Sequence, residues 1–479
     1  MCATLPYLVL LALACQRDPP EESDPTDDTS TPMPAVSIAQ HQDMVTLLEA
    51  SWTMDDTVDA CWLRYQVDDE GWRDTPARAC SPGPQQQTIL GLPPDSEVQV
   101  QLVTARDDRQ RLGEPVLATT GALPLPDLAP GLDLWDASQT TDHPWLLLAL
   151  ERYDGAYYDG PYWQIVLDRR GRVVWYRALP SGLSSTFPRP SRDGTHIVAA
   201  QIDRFGLAGG QPALIQRFGP SLAWMEQVEA PGLRFAWDEA SDGSVYYFDR
   251  ETEGEGWLSR IDRQGQRERL FDCAAWIADR CTDTWCCEAN AVVLEPSRGS
   301  VLMSLWATDT VLEIDLETAT VRHSWGQLEG SWQTEPASAR FDLQHYPNFT
   351  PEGTLLVSTL APDLLLQHRV REFTLDESAQ VLREQWSWGE GQDLFPQYQG
   401  EALRLDNGNT LMNFGAAGAI REITGAGALA WSLTWSEPWL LGHMSLVDDL
   451  YALDQGLDAS PSSANPTSMG SGARATPKR

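Results

Sequence analysis

The sequence predicts an all-β protein: a six-bladed β-propeller preceded by a small β-sandwich. Three observations carry this. First, a turn glycine followed by a strand recurs five times. Asp193-Gly194 precedes Thr-His-Ile-Val, Asp242-Gly243 precedes Ser-Val-Tyr-Tyr-Phe, and Arg298-Gly299 precedes Ser-Val-Leu-Met. Glu352-Gly353 then precedes Thr-Leu-Leu-Val, and Asn407-Gly408 precedes Asn-Thr-Leu-Met; successive glycines are 49, 56, 54 and 55 residues apart. Second, a phrase of acid, turn, strand and Trp follows most of them, ending at Trp175, Trp325, Trp386 and Trp431. Third, residues 36–125 are short strand-like runs separated by turn signals, as in Glu97-Val-Gln-Val-Gln-Leu-Val103 with its alternation of period two.

Each element has a physical reason. A blade cannot bury both faces alone, so repeats of about 50 residues stack around a channel and stabilise one another. The glycine supplies the positive φ of a tight turn, and the recurring Trp fills the gap between adjacent sheets. The five marked repeats and the opening Trp163–Tyr176 segment make six blades over residues 132–453. A β-helix is the rival, but its rungs are shorter. In residues 36–125, Thr88-Ile-Leu-Gly-Leu-Pro-Pro-Asp-Ser-Glu-Val-Gln-Val resembles the fibronectin type III signature before a late strand. Such a sandwich is expected to present or space its neighbour.

Composition narrows the function. The 479-residue chain carries 69 acidic and 34 basic residues, a net charge of −35, with Lys478 its only lysine. That balance argues against nucleic-acid binding and against docking on an anionic membrane surface. With 42% hydrophobic residues and 20 tryptophans the chain is too apolar to be disordered throughout.

The termini suggest export. Leu5–Ala14 is an apolar run suited to a signal-peptide core and too short to span a bilayer. Ala12-Leu13-Ala14-Cys15 resembles the bacterial lipoprotein lipobox, so residues 1–15 read as a lipoprotein signal with Cys15 lipidated. Residues 16–35 read as a disordered acidic tether and residues 460–479 as a disordered tail. Gln16 is not the aspartate of inner-membrane retention, so the expected location is the outer membrane, on its periplasmic or surface side. The membrane is then touched only through the lipid. In an exported chain the six remaining cysteines predict disulfides. Cys61–Cys80 is the natural pair; Cys273, Cys281, Cys286 and Cys287 bridge among themselves, with the pairing open. Their spacing suits tetrahedral zinc poorly, and no metal or other cofactor is expected.

Several phrases carry a family resemblance: Val166-Leu-Asp-Arg-Arg-Gly-Arg-Val-Val-Trp-Tyr176, Glu288-Ala-Asn-Ala-Val-Val293, Glu313-Ile-Asp315, Phe341-Asp-Leu-Gln-His-Tyr346 and Leu405-Asp-Asn-Gly-Asn-Thr-Leu411. They resemble the bacterial arylsulfotransferases, exported six-bladed propellers that move a sulfuryl group from a phenolic sulfate ester to another phenol without a nucleotide donor. The resemblance implies a nucleophilic histidine in a Gln-His motif, a His-x-Asn pair, an Arg ending the following strand, and a His opening the preceding blade. A neutral imidazole can attack electrophilic sulfur, and cationic or protonated groups must meet the charge on its oxygens. Gln344-His345 fits the nucleophile motif. Asn290 is retained, but the paired histidine is Glu288. The arginine position falls on Trp306 and the blade-opening histidine on Trp237. Counting back from the turn glycines places His345, Asn290, Glu288, Trp237 and Glu401 just before the innermost strands, so all could face one funnel. His345 and Asn290 are the candidate catalytic residues; Glu288, Trp306, Trp237 and Glu401 are the candidate substrate contacts. His41, His143, His196, His323, His368 and His443 read as structural or surface residues outside any cluster.

Two functions follow. One is sulfuryl transfer through His345 on a small phenolic or aryl-sulfate ligand. The other is a non-catalytic propeller that binds an aromatic or neutral ligand in its channel. A negative field should repel a sulfate ester, whereas Trp faces could hold a phenolic ring. The oligomeric state is open.

Overall fold

The computed structural model describes residues 32–455, apart from 108, 153–161, 186, 204–207, 362–366, 393, 395 and 397. The proposed signal, Cys15 and the C-terminal tail lie outside the described residues, as does most of the acidic tether.

The N-terminal unit is a sandwich. Ser37–Gln40, Leu48–Met54 and Gly83–Ile89 form one sheet, and a larger sheet centres on Val58–Val67 and Glu97–Arg106. Their inward faces meet in a core that includes Leu48, Trp52, Leu63, Tyr65, Val98 and Leu102, as the period-two alternation requires. Cys61 and Cys80 are disulfide-bonded inside it.

The remainder is a six-bladed propeller. Blade one comprises Trp145–Arg152, Tyr162–Asp168 and Val173–Ala178; blade two runs from Arg189–Pro190 to Met225–Glu229. Blade three runs from Leu233–Glu239 to Arg267–Asp272, and blade four from Ala289–Glu295 to Thr320–Gly326. Blade five runs from Asp342–Phe349 to Val381–Trp388, and blade six from Glu401–Arg404 to Leu429–Thr434. All five turn glycines have positive φ, from 61° to 83°. At each turn the glycine N–H donates to the carbonyl three residues earlier, Ser191, Ala240, Pro296, Thr350 or Leu405. Trp175, Trp325 and Trp431 are fully buried. Trp175 and Trp431 donate their indole N–H to Pro220 O and Arg169 O, both at 2.7 Å, so the polar end of each is satisfied.

The ring closes twice. Trp439–Val447, from the chain's end, is the innermost strand of blade one and pairs with Trp145–Arg152. Gly131–Trp135, from the propeller's start, pairs with Leu429–Thr434 as a fifth, outermost strand of blade six. The outer strand had no sequence signal because all five of its residues are exposed at a sheet edge, which leaves no alternation to read.

The sandwich does more than space the propeller. Met44, Leu47 and Leu90 share one apolar cluster with Leu146, Leu450 and Leu453. Val45 N donates to Tyr176 Oη at 3.1 Å and Leu90 N to Tyr451 Oη at 3.0 Å. The module thus buries itself against blade one, where the ring is closed.

Between blades three and four, the short helix Cys273–Ile277 is capped by the Asp272 carboxylate, which accepts from Ala275 N at 2.9 Å. Cys273 pairs with Cys287 and Cys281 with Cys286. Two disulfides consume all four sulfurs, which leaves no thiolate for zinc. Non-reducing peptide mapping should return these pairs and Cys61–Cys80. The Cys61–Cys80 bridge spans 19 residues, so Cys61→Ala with Cys80→Ala should destabilise the sandwich by about 3 kcal/mol in urea unfolding, in the chain-entropy account. An unchanged midpoint would contradict that.

Candidate functional site

The innermost strands of the six blades line the channel, and several are bulged. The register shifts once within Leu233–Glu239, once within Ala289–Glu295, once in the pairing of Trp439–Val447, and twice within Asp342–Phe349, on either side of His345. A bulge breaks the alternation of faces and re-aims side chains. In blade five it is accompanied by backbone strain: Leu343 and Tyr346 have φ of 46° and 44°. Non-glycine residues there cost about 1–3 kcal/mol each and persist only where surroundings hold them.

The holding groups are identifiable. Leu343 N donates to Asp309 Oδ1 at 2.6 Å, and the Gln344 carbonyl accepts from Asn290 Nδ2 at 2.6 Å. The Gln344 side chain is fully buried, and its Nε2 is shared among Ser304 Oγ, Leu305 O and Thr310 O at 3.1–3.2 Å. His345 itself is half-buried. Its Nδ1 lies 3.0 Å from Leu343 O. A carbonyl only accepts, so this bond requires the proton on Nδ1.

The structure thus brings His345 and Asn290 together, with Gln344 as the link. The one-turn helix Trp306–Thr308 lies against the same strand, and Trp306 is half-buried. Glu288 is elsewhere in its bonding: it is buried and ion-paired to Arg250, whose guanidinium stacks over Trp285 at 4.8 Å. The acid therefore does not present an unbalanced charge to the funnel. Trp237 departs from its expected role. It is 0% exposed within the core between blades two and three, under the Arg189 guanidinium at 4.8 Å, and offers no face to a ligand. Its neighbour Asp238 is ion-paired to Arg189 and Arg192. Glu401 is buried and accepts from Met444 N of blade one at 2.9 Å.

Two histidines expected to be isolated are not. His443 lies on the closing strand with Nδ1 2.7 Å from Glu401 Oε1, off the line of a good hydrogen bond. Its ring packs 4.6 Å from Tyr346 and 5.7 Å from Phe187. Burial pushes its pKa down, against the pull of Glu401. The repeat count missed it because it follows the last turn glycine. His368 is buried on blade five with Nε2 2.6 Å from Ser358 Oγ, and Ser358 is the cross-strand partner of His345. Burial, helped by the neighbouring His345, pushes the His368 pKa down to about 3.

Arg189 also escaped the sequence reading, although it lies five residues before Gly194, a spacing like those that located Trp237 and Glu401. It is ion-paired to Asp238, which also receives Arg192 Nη2 at 2.7 Å and Leu294 N at 2.8 Å.

No protein-family model matches the chain, and no curated protein matches it. Solved structures are distantly similar. A protein of unknown function from Bacteroides caccae is 14% identical with a TM-score of 0.42, covering 64% of this chain and all of its own. TolB from Acinetobacter baumannii is 12% identical with a TM-score of 0.41, over 75% of this chain and 80% of its own. Virginiamycin B lyase from Staphylococcus aureus is 10% identical with a TM-score of 0.38, over 67% and 96%. Likenesses this distant say nothing of chemistry.

The unfolded chain protonates His368 near the ordinary value of 6.5, whereas the folded ring resists to about 3. Stability from this residue is therefore lost as pH falls through that interval. The unfolding free energy of the wild type relative to His368→Gln should shrink by about 1.4 kcal/mol per unit between about pH 6 and 4. A difference that stays constant would show the ring to be protonated in the fold.

Proposed function

We propose that the chain is an exported, lipid-anchored propeller that transfers a sulfuryl group from a phenolic sulfate ester to a phenol through His345. The observation that carries this is the hydrogen bond from His345 Nδ1 to Leu343 O at 3.0 Å on a strained, doubly bulged strand. With the proton on Nδ1, the neutral ring keeps its lone pair on Nε2. In the first step the Nε2 lone pair bonds to sulfur while the sulfur–oxygen bond breaks, and the phenolate leaves with the electron pair. In the second an acceptor phenol gives up its proton to solvent or base, its oxygen bonds to sulfur, and the nitrogen–sulfur bond returns its electrons to His345. Positioning and charge stabilisation supply most of the rate in such transfers. Asn290 acts by holding the Gln344 carbonyl. Half-buried Trp306 offers a phenolic ring an apolar surface.

A second reading, a propeller that only binds aromatic ligands, is favoured by one observation. Arg250, close to the position where the resemblance implies a histidine, is bound to Glu288.

Intact-protein mass spectrometry after incubation with nitrophenyl sulfate distinguishes the two. Transfer predicts an adduct of one sulfuryl unit that is absent in His345→Ala. Asn290→Ala should slow nitrophenol release by about 100-fold. Turnover that survives His345→Ala would overturn the mechanism; ligand-dependent Trp fluorescence without any adduct would leave the binding reading. The anchor is checked separately: labelled palmitate should enter the protein and be lost in Cys15→Ala.

A further inference from the structure

Arg189, on the innermost strand of blade two, has incomplete hydrogen bonds among the described residues. It is 6% exposed. Its Nη1 is bound to Asp238, while Nε and Nη2 are buried with no partner among the described residues. Those two nitrogens form one edge of the planar guanidinium, the edge that receives two oxygens of an anion side by side. Leaving such donors buried and unmet costs free energy that a binding partner would recover.

The surroundings place this guanidinium where residues of several blades converge. Arg189 opens the innermost strand of blade two, and Phe187, two residues before it, stacks on Tyr346 at 6.4 Å and on His443 at 5.7 Å. Tyr346 directly follows His345. Around the guanidinium stand Asp238, Glu401, Arg192, Tyr346 and His443. Asp238 is already met by two arginines and two backbone N–H groups, from Glu239 and Leu294. Glu401 is met by Met444 N and lies against His443. Two arginines thus balance two carboxylates, and an arriving anion meets no uncompensated negative charge. Although burial works against the charged form, Asp238 holds Arg189 protonated.

We propose that the Nε–Nη2 edge of Arg189 binds two oxygens of the sulfate ester, supplying the cation absent from the positions of Trp306 and Glu288. This rests on the sulfuryl-transfer reading. It names a substrate contact that the repeat count and the family resemblance both passed over, and it makes the channel selective for aryl oxyanions over neutral phenols.

The test uses an aryl sulfonate, which has the same anionic head but a carbon–sulfur bond that His345 cannot displace. Titration calorimetry on the full chain should show binding. Arg189→Lys keeps the charge and the contact with Asp238 but loses the two-donor edge, so it should weaken sulfonate binding about tenfold or more while changing phenol binding by less than about twofold. If Arg189→Lys fails to fold, wild-type crystals soaked with the sulfonate decide the matter, with its oxygens expected against Nε and Nη2. Unchanged sulfonate affinity in a folded Arg189→Lys, no wild-type binding, or a sulfonate seated elsewhere overturns the proposal. The two claims fail separately. A His345 adduct with unchanged affinity in Arg189→Lys removes Arg189 and leaves the transfer. Arg189-dependent sulfonate binding with no adduct on incubation with nitrophenyl sulfate does the reverse.

Discussion

The channel depends on one constraint: an innermost strand has a blade on one side only, so backbone groups on its free edge need partners that no sheet supplies. Here adjacent blades supply them through side chains. Asn290 of blade four holds the Gln344 carbonyl of blade five, Asn348 of blade five holds Ala402 O of blade six, and Asn413 of blade six holds Gly442 O of blade one. Carboxylates satisfy the opposite polarity: Asp238 takes Leu294 N, Glu295 takes Phe349 N, and Glu401 takes Met444 N. Each bond crosses from one blade to the next in the same rotational sense.

The bulges and the site follow from these bonds. A strand held at intervals by its neighbour can carry an extra residue between the anchors, as Asp342–Phe349 does around His345. The strain at Leu343 and Tyr346 is opposed by Asp309, Asn290 and the buried Gln344 amide. Acidic anchors need cations beside them, which accounts for Arg189 and Arg192 at Asp238. A chain with net charge −35 thereby keeps a balanced channel wall while its surface remains acidic.

The repeats were legible because a tight turn demands glycine at a fixed place in each blade and because Trp fills the gap between sheets. The Cys61–Cys80 pair was legible from spacing within one module. Gln344-His345 was legible as a motif, but the reason for its glutamine was not: its amide anchors the bulge from within blade four. Bulges erase the alternation that reveals which face a residue takes, so Trp237 was read into the channel and Asp238 past it. His443 comes after the last repeat, on a strand that joins the first blade. The docking of Met44, Leu47 and Leu90 on the propeller leaves no periodic trace, since loop residues carry it.

Amide hydrogen exchange in Asn290→Ala tests the cross-blade account most directly. If Asn290 anchors the bulge, peptides covering Asp342–Phe349 should exchange faster than in the wild type, while those from Met225–Glu229, the outermost strand of blade two, keep their protection. Equal protection of Asp342–Phe349 in both proteins would contradict the account, as would a uniform loss across all blades.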